Sequence, residues 1–278
     1  MVSYRHEVAG YLDLIARCQE HIRAGESYEL CLTNQLRVAA AVDPFTLFRV
    51  LRHLSPAPFS AYFRAPRVAV VGASPERFPT VQDGVLHSKP MKGTRPRGAD
   101  SATDHSLREE LHASPKERAE NLMITDLVRN DLGSAAQPAS VSVEKLFDVE
   151  TYPHVHQMVS AVRASLSRHR TVVDVIRATF PGGSMTGAPK RRSTEILDEL
   201  EGDYRGIYSG VLGSITLDRR IDLRMVIRTG IVTSRDLTIG VGGAITALSD
   251  SQEEVAEMFL KGEALLEAVA ATLALQPR

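Results

Sequence analysis

The chain has 278 residues, 43% of them hydrophobic and 24% charged, with a formal net charge of −1, a composition that suits a soluble globular protein with a large core. With charge near zero and basic residues dispersed, there is no electrostatic footprint for nucleic acid or for an anionic membrane. Residues 1–10 lack an apolar signal core and the longest apolar stretch, 265–275, is short and contains Glu267, so no spanning helix is predicted. Cys18 and Cys31 have no CxxC pairing, which points to a reducing cytoplasm and away from a structural zinc site.

In chain order, residues 6–24 carry an apolar stripe at Val8, Leu12, Ile15 and Ile22 and stop at Gly25, the pattern of a core helix. Residues 28–38 then alternate, with Tyr28, Leu30, Leu32, Leu36 and Val38 on one face and Glu29, Thr33, Gln35 and Arg37 on a polar one. Asp43-Pro44 supplies an N-cap and first-turn proline for a helix through Leu51. Strands are predicted over 61–64, 68–72 and 77–81, with Asp83-Gly84 as a hairpin turn and Glu76 as a carboxylate at a strand end.

The next segment, Lys89-Pro90-Met91-Lys92-Gly93-Thr94-Arg95-Pro96-Arg97-Gly98, reads as a loop, because its prolines remove backbone donors and its glycines admit conformations closed to other residues. Lys92 has Lys89, Arg95 and Arg97 within a few residues, and like charges at short range disfavour its ammonium form. A lysine in that setting can act as a nucleophile. Taken by itself, the same loop is equally a solvated basic turn.

Ser114-Pro115-Lys116-Glu117 is the signature of a capping box opening a helix that closes at Gly133 and carries Glu117 and Glu120 three apart on one face. Strands follow over 141–146 and 155–164, then a short helix over 172–178. The glycine-rich turn from Pro181 to Lys190 leads into a helix ending at Gly202; its exposed N–H groups suit an anion, but Ala188-Pro189 after Gly187 leaves nucleotide binding unsupported. Residues 208–217 and 223–232 are predicted to pair as a hairpin across Asp218-Arg219-Arg220, followed by a strand over 238–242 and the turn Gly242-Gly243. Asp250 caps a last helix on which Glu254, Glu257 and Lys261 share a face; such a row is ordinarily a solvated surface, and with Glu120 it also offers oxygen ligands to a hard divalent ion such as Mg²⁺.

Strands arriving as hairpins, with too few helices for a repeating βαβ chain, predict an α+β fold of antiparallel sheets packed face to face with outer helices. A single domain over 1–278 is expected.

Taken together, these ordered motifs resemble the chorismate-utilising enzymes, which comprise anthranilate synthase component I, aminodeoxychorismate synthase component I and the isochorismate and salicylate synthases. The motifs that carry the resemblance are Gly25-Glu26-Ser27-Tyr28, Ser74-Pro75-Glu76-Arg77-Phe78, the segment from Pro90 to Gly98, Ala119-Glu120-Asn121-Leu122-Met123, the helix end Asp126-Leu127-Val128-Arg129-Asn130-Asp131-Leu132-Gly133, the glycine-rich turn, Ile227-Arg228-Thr229 and Gly242-Gly243 with the last helix. The resemblance implies a four-layer α/β/β/α chorismate-binding fold. Family members resemble one another in a longer N-terminal part, and these 278 residues correspond to the chorismate-binding core that follows it.

Within the family, lysine at position 92 resembles the aminodeoxychorismate synthases, where anthranilate synthases carry alanine. The resemblance implies that Lys92 adds to C2 of chorismate as the C4 hydroxyl departs, that Glu76 is the general acid, and that ammonia then enters at C4 and expels the lysine. It implies Glu120 and Glu257 as Mg²⁺ ligands supported by Glu117 and Glu254. The substrate contacts it implies are Glu29, Thr94, Ser184, Tyr208, Arg228, Gly242, Gly243 and Lys261. Isochorismate and salicylate synthases resemble each other in a lysine base where this chain has Glu29, which argues against addition of water at C2. Many members have histidine directly before a Leu-Val-Ser run, whereas here the order is His156-Gln157-Met158-Val159-Ser160, compatible with a product that keeps its enolpyruvyl group. The alternatives are anthranilate-type amination at C2 and a non-catalytic chorismate-binding subunit. No glutaminase-type cysteine elbow surrounds Cys18 or Cys31, so a glutamine amidotransferase subunit or fused domain is the expected partner.

Overall fold

The computed structural model describes residues 2–152 and 155–275. In chain order its elements are β1 (Val2–Tyr4), α1 (Val8–Arg23), β2 (Glu29–Val38), α2 (Pro44–Leu54), β3 (Phe59–Arg64), β4 (Ala69–Ser74), β5 (Thr80–Gln82), β6 (Val85–Ser88) and β7 (Met91–Pro96). There follow α3 (Ser101–Ala113), α4 (Pro115–Gly133), β8 (Ser142–Thr151), β9 (Val155–Ser165), α5 (Val172–Thr179), β10 (Gly187–Ala188) and α6 (Lys190–Glu201). The last are β11 (Val211–Ile215), β12 (Ile221–Met225), β13 (Thr229–Val232), β14 (Leu237–Ile245) and α7 (Ser251–Leu275). The chain divides into two compact units, one made of Met1–Glu76, Met185–Leu212 and Arg224–Arg278, the other of Arg77–Ser184 and Gly213–Leu223.

The first unit is built on a sheet in the order β1-β2-β14-β13-β4-β3, antiparallel throughout, with β10 added to β2. Helices α1, α2, α6 and α7 contribute apolar residues to its core, among them Ile15, Leu47, Leu51, Leu197 and Leu265, against Leu32, Leu36, Ile239 and Val241 of the central strands. Local chemistry sets the helix ends. The Asp43 carboxylate accepts from Thr46 N at 2.7 Å ahead of Pro44, the Asp250 carboxylate accepts from Gln252 N and Glu253 N at 2.9 and 3.0 Å, and Gly202 ends α6 in a left-handed conformation, φ 66°.

The second unit holds the other sheet, in which β5, β6, β9 and β7 run antiparallel in that order, β8 pairs with β9, and β12 joins β5 with β11 beyond it. The α+β class with two antiparallel sheets agrees with the expectation from the hairpins. Among the described residues no helix is long and apolar enough to cross a membrane.

Several local expectations are corrected. The Lys92 segment is a strand, not a loop: β7 pairs with β9 from Met91 to Pro96, and the register slips between Met91 and Thr94, where Gly93 takes φ 91°. The prolines are tolerated because Pro96 ends the strand and Pro90 precedes it. The predicted strand over 223–232 is two strands in different sheets, broken where Arg228 takes φ 47°. Tyr28, grouped with Leu30 and Leu32 on one face, is 72% exposed, whereas Glu29, expected on a polar face, is fully buried. Being central, β2 is covered on both sides, so alternation of residue type did not translate into alternation of exposure.

Helix α3, absent from the sequence reading, is announced by Asp100, whose carboxylate accepts from Ala102 N and Thr103 N. It carries Asp104, which accepts from Arg97 Nε and Nη2 at 2.7 and 2.9 Å and from Gly98 N at 2.8 Å, and lies 2.9 Å from Nε2 of buried His156. The Arg97 guanidinium above all holds the Asp104 carboxyl far below the usual carboxylate range. A depressed folded-state pKa stabilises the fold above the unfolded value of about 4, and that stabilisation is lost as the pH falls below it. The difference in urea midpoint between the parent protein and Asp104→Asn is therefore expected to be largest near neutrality and to shrink as the pH is lowered from about 4 to about 2. A difference that stays constant across that range would show that the carboxylate charge contributes nothing to stability.

Candidate active site

In the second unit, the bulge at Gly93 brings β7 onto the first turns of α4. A Cβ at Gly93 would lie 2.9 Å from Glu117 Oε2 and 3.1 Å from Glu117 Cβ, so only glycine permits this approach. Helix α4 starts at Ser114, whose hydroxyl accepts from Glu117 N with Pro115 at the first helical position. The Glu117 carboxylate accepts from Arg95 Nη1 at 3.2 Å. One turn on, Glu120 Oε2 lies 4.0 Å from Lys92 Nζ, and both side chains are largely covered, at 22% and 18% exposure.

The other cations of this stretch are each matched by an acceptor. Lys89 Nζ lies 2.5 Å from Glu150, Arg95 binds Glu110 and Glu117, and Arg97 binds Asp104 and the carbonyl of Tyr152. This corrects the picture of a lysine crowded by unanswered like charges, because carboxylates from α3, α4 and β8 offset the neighbouring cations. Thr94, at the exposed side of β7, pairs in register with Gln157. Ser184 follows Gly183, which packs on α4 so closely that a Cβ there would come 2.6 Å from Leu127 Cδ2.

In the first unit, the end of β14 meets α7. Gly242 takes φ 155° and its carbonyl accepts from Lys261 Nζ at 2.9 Å; the same ammonium lies 2.6 Å from Glu257 Oε1. At Gly243 a Cβ would come 2.9 Å from Glu254 Oε2, so glycine opens a cradle in which strand backbone faces the charged side of the helix. Ser249 donates to Glu254 Oε1 at 2.7 Å and fixes that carboxylate. Arg228 remains open to solvent, yet the protein around it thins the water at its guanidinium and lowers its pKa, an effect the field of Glu257 opposes.

The other predicted residues of this unit are Glu76, Glu29 and Tyr208. Glu76 follows the end of β4, with its carbonyl accepting from Met225 N at 3.1 Å and its own N–H donating to Ser74 Oγ at 3.3 Å. Glu29 is buried where β2 pairs with Ala188 of β10. Tyr208 is 7% exposed and burial pushes its phenol well up, so it stays protonated and can donate.

The four glutamates expected at a metal supply only carboxylate oxygens, a donor set that fits a hard divalent cation. Among the described residues no three His, Cys, Asp or Glu side chains gather as one metal-holding group. Mg²⁺ is commonly held by one or two carboxylates completed by waters and substrate, so the chemistry of these donors suits that ion.

A buried ion pair escaped the sequence reading. Glu201 is 3% exposed and accepts from Thr33 N at 2.9 Å, from Thr33 Oγ1 at 2.8 Å and from Arg205 through two bonds of 2.8 and 2.6 Å. Arg205 also donates to the carbonyls of Met185 and Cys31 at 2.6 and 2.9 Å, tying the glycine-rich turn to β2. The i, i+4 spacing of Glu201 and Arg205 was visible, but Gly202 between them ends the helix and removes the usual reason to pair them.

The comparisons agree with this architecture. Residues 1–267 match the sequence pattern of a family described as chorismate binding enzyme. Aminodeoxychorismate synthase of Streptomyces pristinaespiralis is 51% identical over 269 residues, covering 96% of this chain and 37% of that protein. Aminodeoxychorismate synthase component 1 of Klebsiella aerogenes is 41% identical over 256 residues, covering 92% of this chain and 57% of that protein. Among solved structures, anthranilate synthase component I from Streptococcus pneumoniae has a TM-score of 0.87 at 28% identity, covering 95% of this chain and 59% of that one. The chain thus spans between about a third and three fifths of these relatives.

Because Arg205 is tied to backbone on two sides, it cannot swing to water when its counter-charge is removed. Glu201→Gln is expected to destabilise the protein by about 3 kcal/mol, the range for leaving one member of a buried pair uncompensated. Guanidinium chloride unfolding measures this, and a loss below about 1 kcal/mol would show that the carbonyl contacts suffice to hold the guanidinium.

Proposed function

The chain belongs to the chorismate-binding enzymes, and on that premise we propose that it aminates chorismate at C4 with ammonia to give 4-amino-4-deoxychorismate. The observation that carries this reading is Lys92, an amine held on a bulged strand beside Glu120 rather than on a free turn. Similarity to aminodeoxychorismate synthases over most of the chain supports it.

In this reading the unprotonated Lys92 amine adds to C2 of the ring, both ring double bonds shift by one position, from C1–C2 and C5–C6 to C1–C6 and C4–C5, and the C4 hydroxyl leaves as water with a proton from Glu76, while the added nitrogen gives up a proton. Ammonia then adds at C4, both double bonds return, the C2–nitrogen bond to Lys92 breaks, and the proton that the incoming nitrogen sheds balances the one that restores the Lys92 amine. A protonated Tyr208, the Arg228 guanidinium, Lys261, Ser184 and Thr94, with the N–H groups of Gly242 and Gly243, orient the substrate, and Glu29 belongs to the same set. Glu120 and Glu257 would hold Mg²⁺, with Glu117 and Glu254 in support; the ion supplies positive charge for the ring carboxylate. The nitrogen would come from a glutamine amidotransferase subunit or fused domain, since neither buried cysteine, Cys18 or Cys31, lies in a nucleophilic setting. The protein would work in the cytoplasm.

The competing reading is anthranilate-type amination at C2, favoured by the likeness to an anthranilate synthase structure. Incubation with chorismate, ammonium and Mg²⁺ separates the two, because a fluorescent aromatic product formed without an added lyase would overturn C4 amination. Binding of chorismate with no turnover would instead indicate a non-catalytic subunit.

Lys92→Ala is expected to lower amination with ammonia by more than about a thousandfold while chorismate binding stays within about threefold. Near-parental C4 amination by that variant, with no chorismate adduct on Lys92 in the parent by mass spectrometry, would refute the covalent route. For the metal, titration calorimetry should show chorismate binding weakened by at least roughly tenfold in EDTA and restored by Mg²⁺. Unchanged binding would remove the ion from substrate recognition.

A further inference from the structure

Tyr208 sits in a tight turn between Gly206 at φ 66° and Ser209 at φ 60°, and the turn is pinned where Ser209 N donates to Val226 O at 2.9 Å and Val226 N to Gly210 O at 2.8 Å. The side chain leaves this turn to lie over β14. A Cβ added to Gly240 would fall 2.0 Å from Tyr208 Cγ and 2.3 Å from both Cδ atoms, so the ring occupies the place that any side chain at position 240 would take. Real Cβ atoms do not come within 3.0 Å of a neighbour, and here the neighbour is an aromatic ring held by a short turn.

The backbone gives no reason for glycine at this position. Gly240 pairs in regular register with Gln35 of β2, inside an unbroken run of nine paired residues, and its φ is not in the left-handed region. Glycine in a strand interior otherwise weakens the strand, and it marks a site where another group approaches closely. The approaching group is Tyr208.

We propose that Gly240 is a positioning residue: by lacking a side chain it forms the slot that seats the Tyr208 ring and so fixes where the phenol meets the substrate. This rests on the reading of Tyr208 as a substrate contact. Gly240 itself touches only the ring and acts through it.

The test is Gly240→Ala, examined with 3-fluorotyrosine incorporated and the Tyr208 ¹⁹F resonance assigned by its loss in Tyr208→Phe. The expected result is a shifted Tyr208 resonance and a KM for chorismate raised roughly tenfold, with kcat changed by less than about threefold. A resonance that does not move would overturn the slot. A moved resonance with unchanged KM would overturn the role of Tyr208 at the substrate, and with it the functional part of the proposal, while leaving the packing intact. If Gly240→Ala does not fold, Gly240→Ala combined with Tyr208→Ala decides the matter. Folding of the double variant supports a slot made for the ring, and its failure to fold shows that the glycine serves the strand instead.

Discussion

The ladder between β2 and β14 is the constraint on which the first unit depends. Nine consecutive pairs, from Leu237 opposite Val38 to Ile245 opposite Leu30, join two strands that are buried on both faces over most of their length. Backbone groups that the ladder leaves over find other partners, Thr33 N at Glu201, Cys31 N at the carbonyl of Thr186 and the Gly242 carbonyl at Lys261, so helices can cover the strands without stranding them. Near the end of the ladder Gly242 and Gly243 let helix α7 approach the strand and let Lys261 bond a carbonyl directly. A second strand, β9, plays the equivalent part in the other unit by pairing with β6, β7 and β8.

The sequence carried much of this architecture and less of the electrostatics. Asp43-Pro44, Ser114-Pro115, Asp250 and Gly202 marked helix ends because capping is local chemistry, decided within a few residues. The prolines and glycines around Lys92 suggested a loop because the partner that makes it a strand, β9, lies some sixty residues further along the chain. The same non-locality hid the carboxylates that answer Arg95, Arg97 and Lys89, which arrive from helix α3, from α4 and from β8. Helix α3 itself has a weak apolar stripe, with Leu111 its only fully covered residue, so periodicity gave little to find.

Candidate site residues were legible as residue types in ordered motifs, and the fold adds how they are held. Lys261 and Glu257 were visible as a row on one helix face, yet not the bond from Lys261 to Gly242 that turns the row toward β14. Glu29 was legible as a charged residue on a strand, but its burial belongs to a strand covered on both sides, and its pairing partner β10 is a two-residue strand too short for any pattern to announce. Tyr208 and Gly240 are thirty-two positions apart and meet only because the turn after α6 folds over β14.

The pairing of Lys89, Arg95 and Arg97 with carboxylates also bears on how an anion would arrive. Compensated charges sum to a weak field beyond a Debye length of about 8 Å at physiological ionic strength. A negatively charged small molecule would not be steered toward this strand from a distance, and its encounter rate would depend little on added salt. Selectivity among anions is then left to contacts made after arrival, where shape and hydrogen-bond geometry decide and total charge does not.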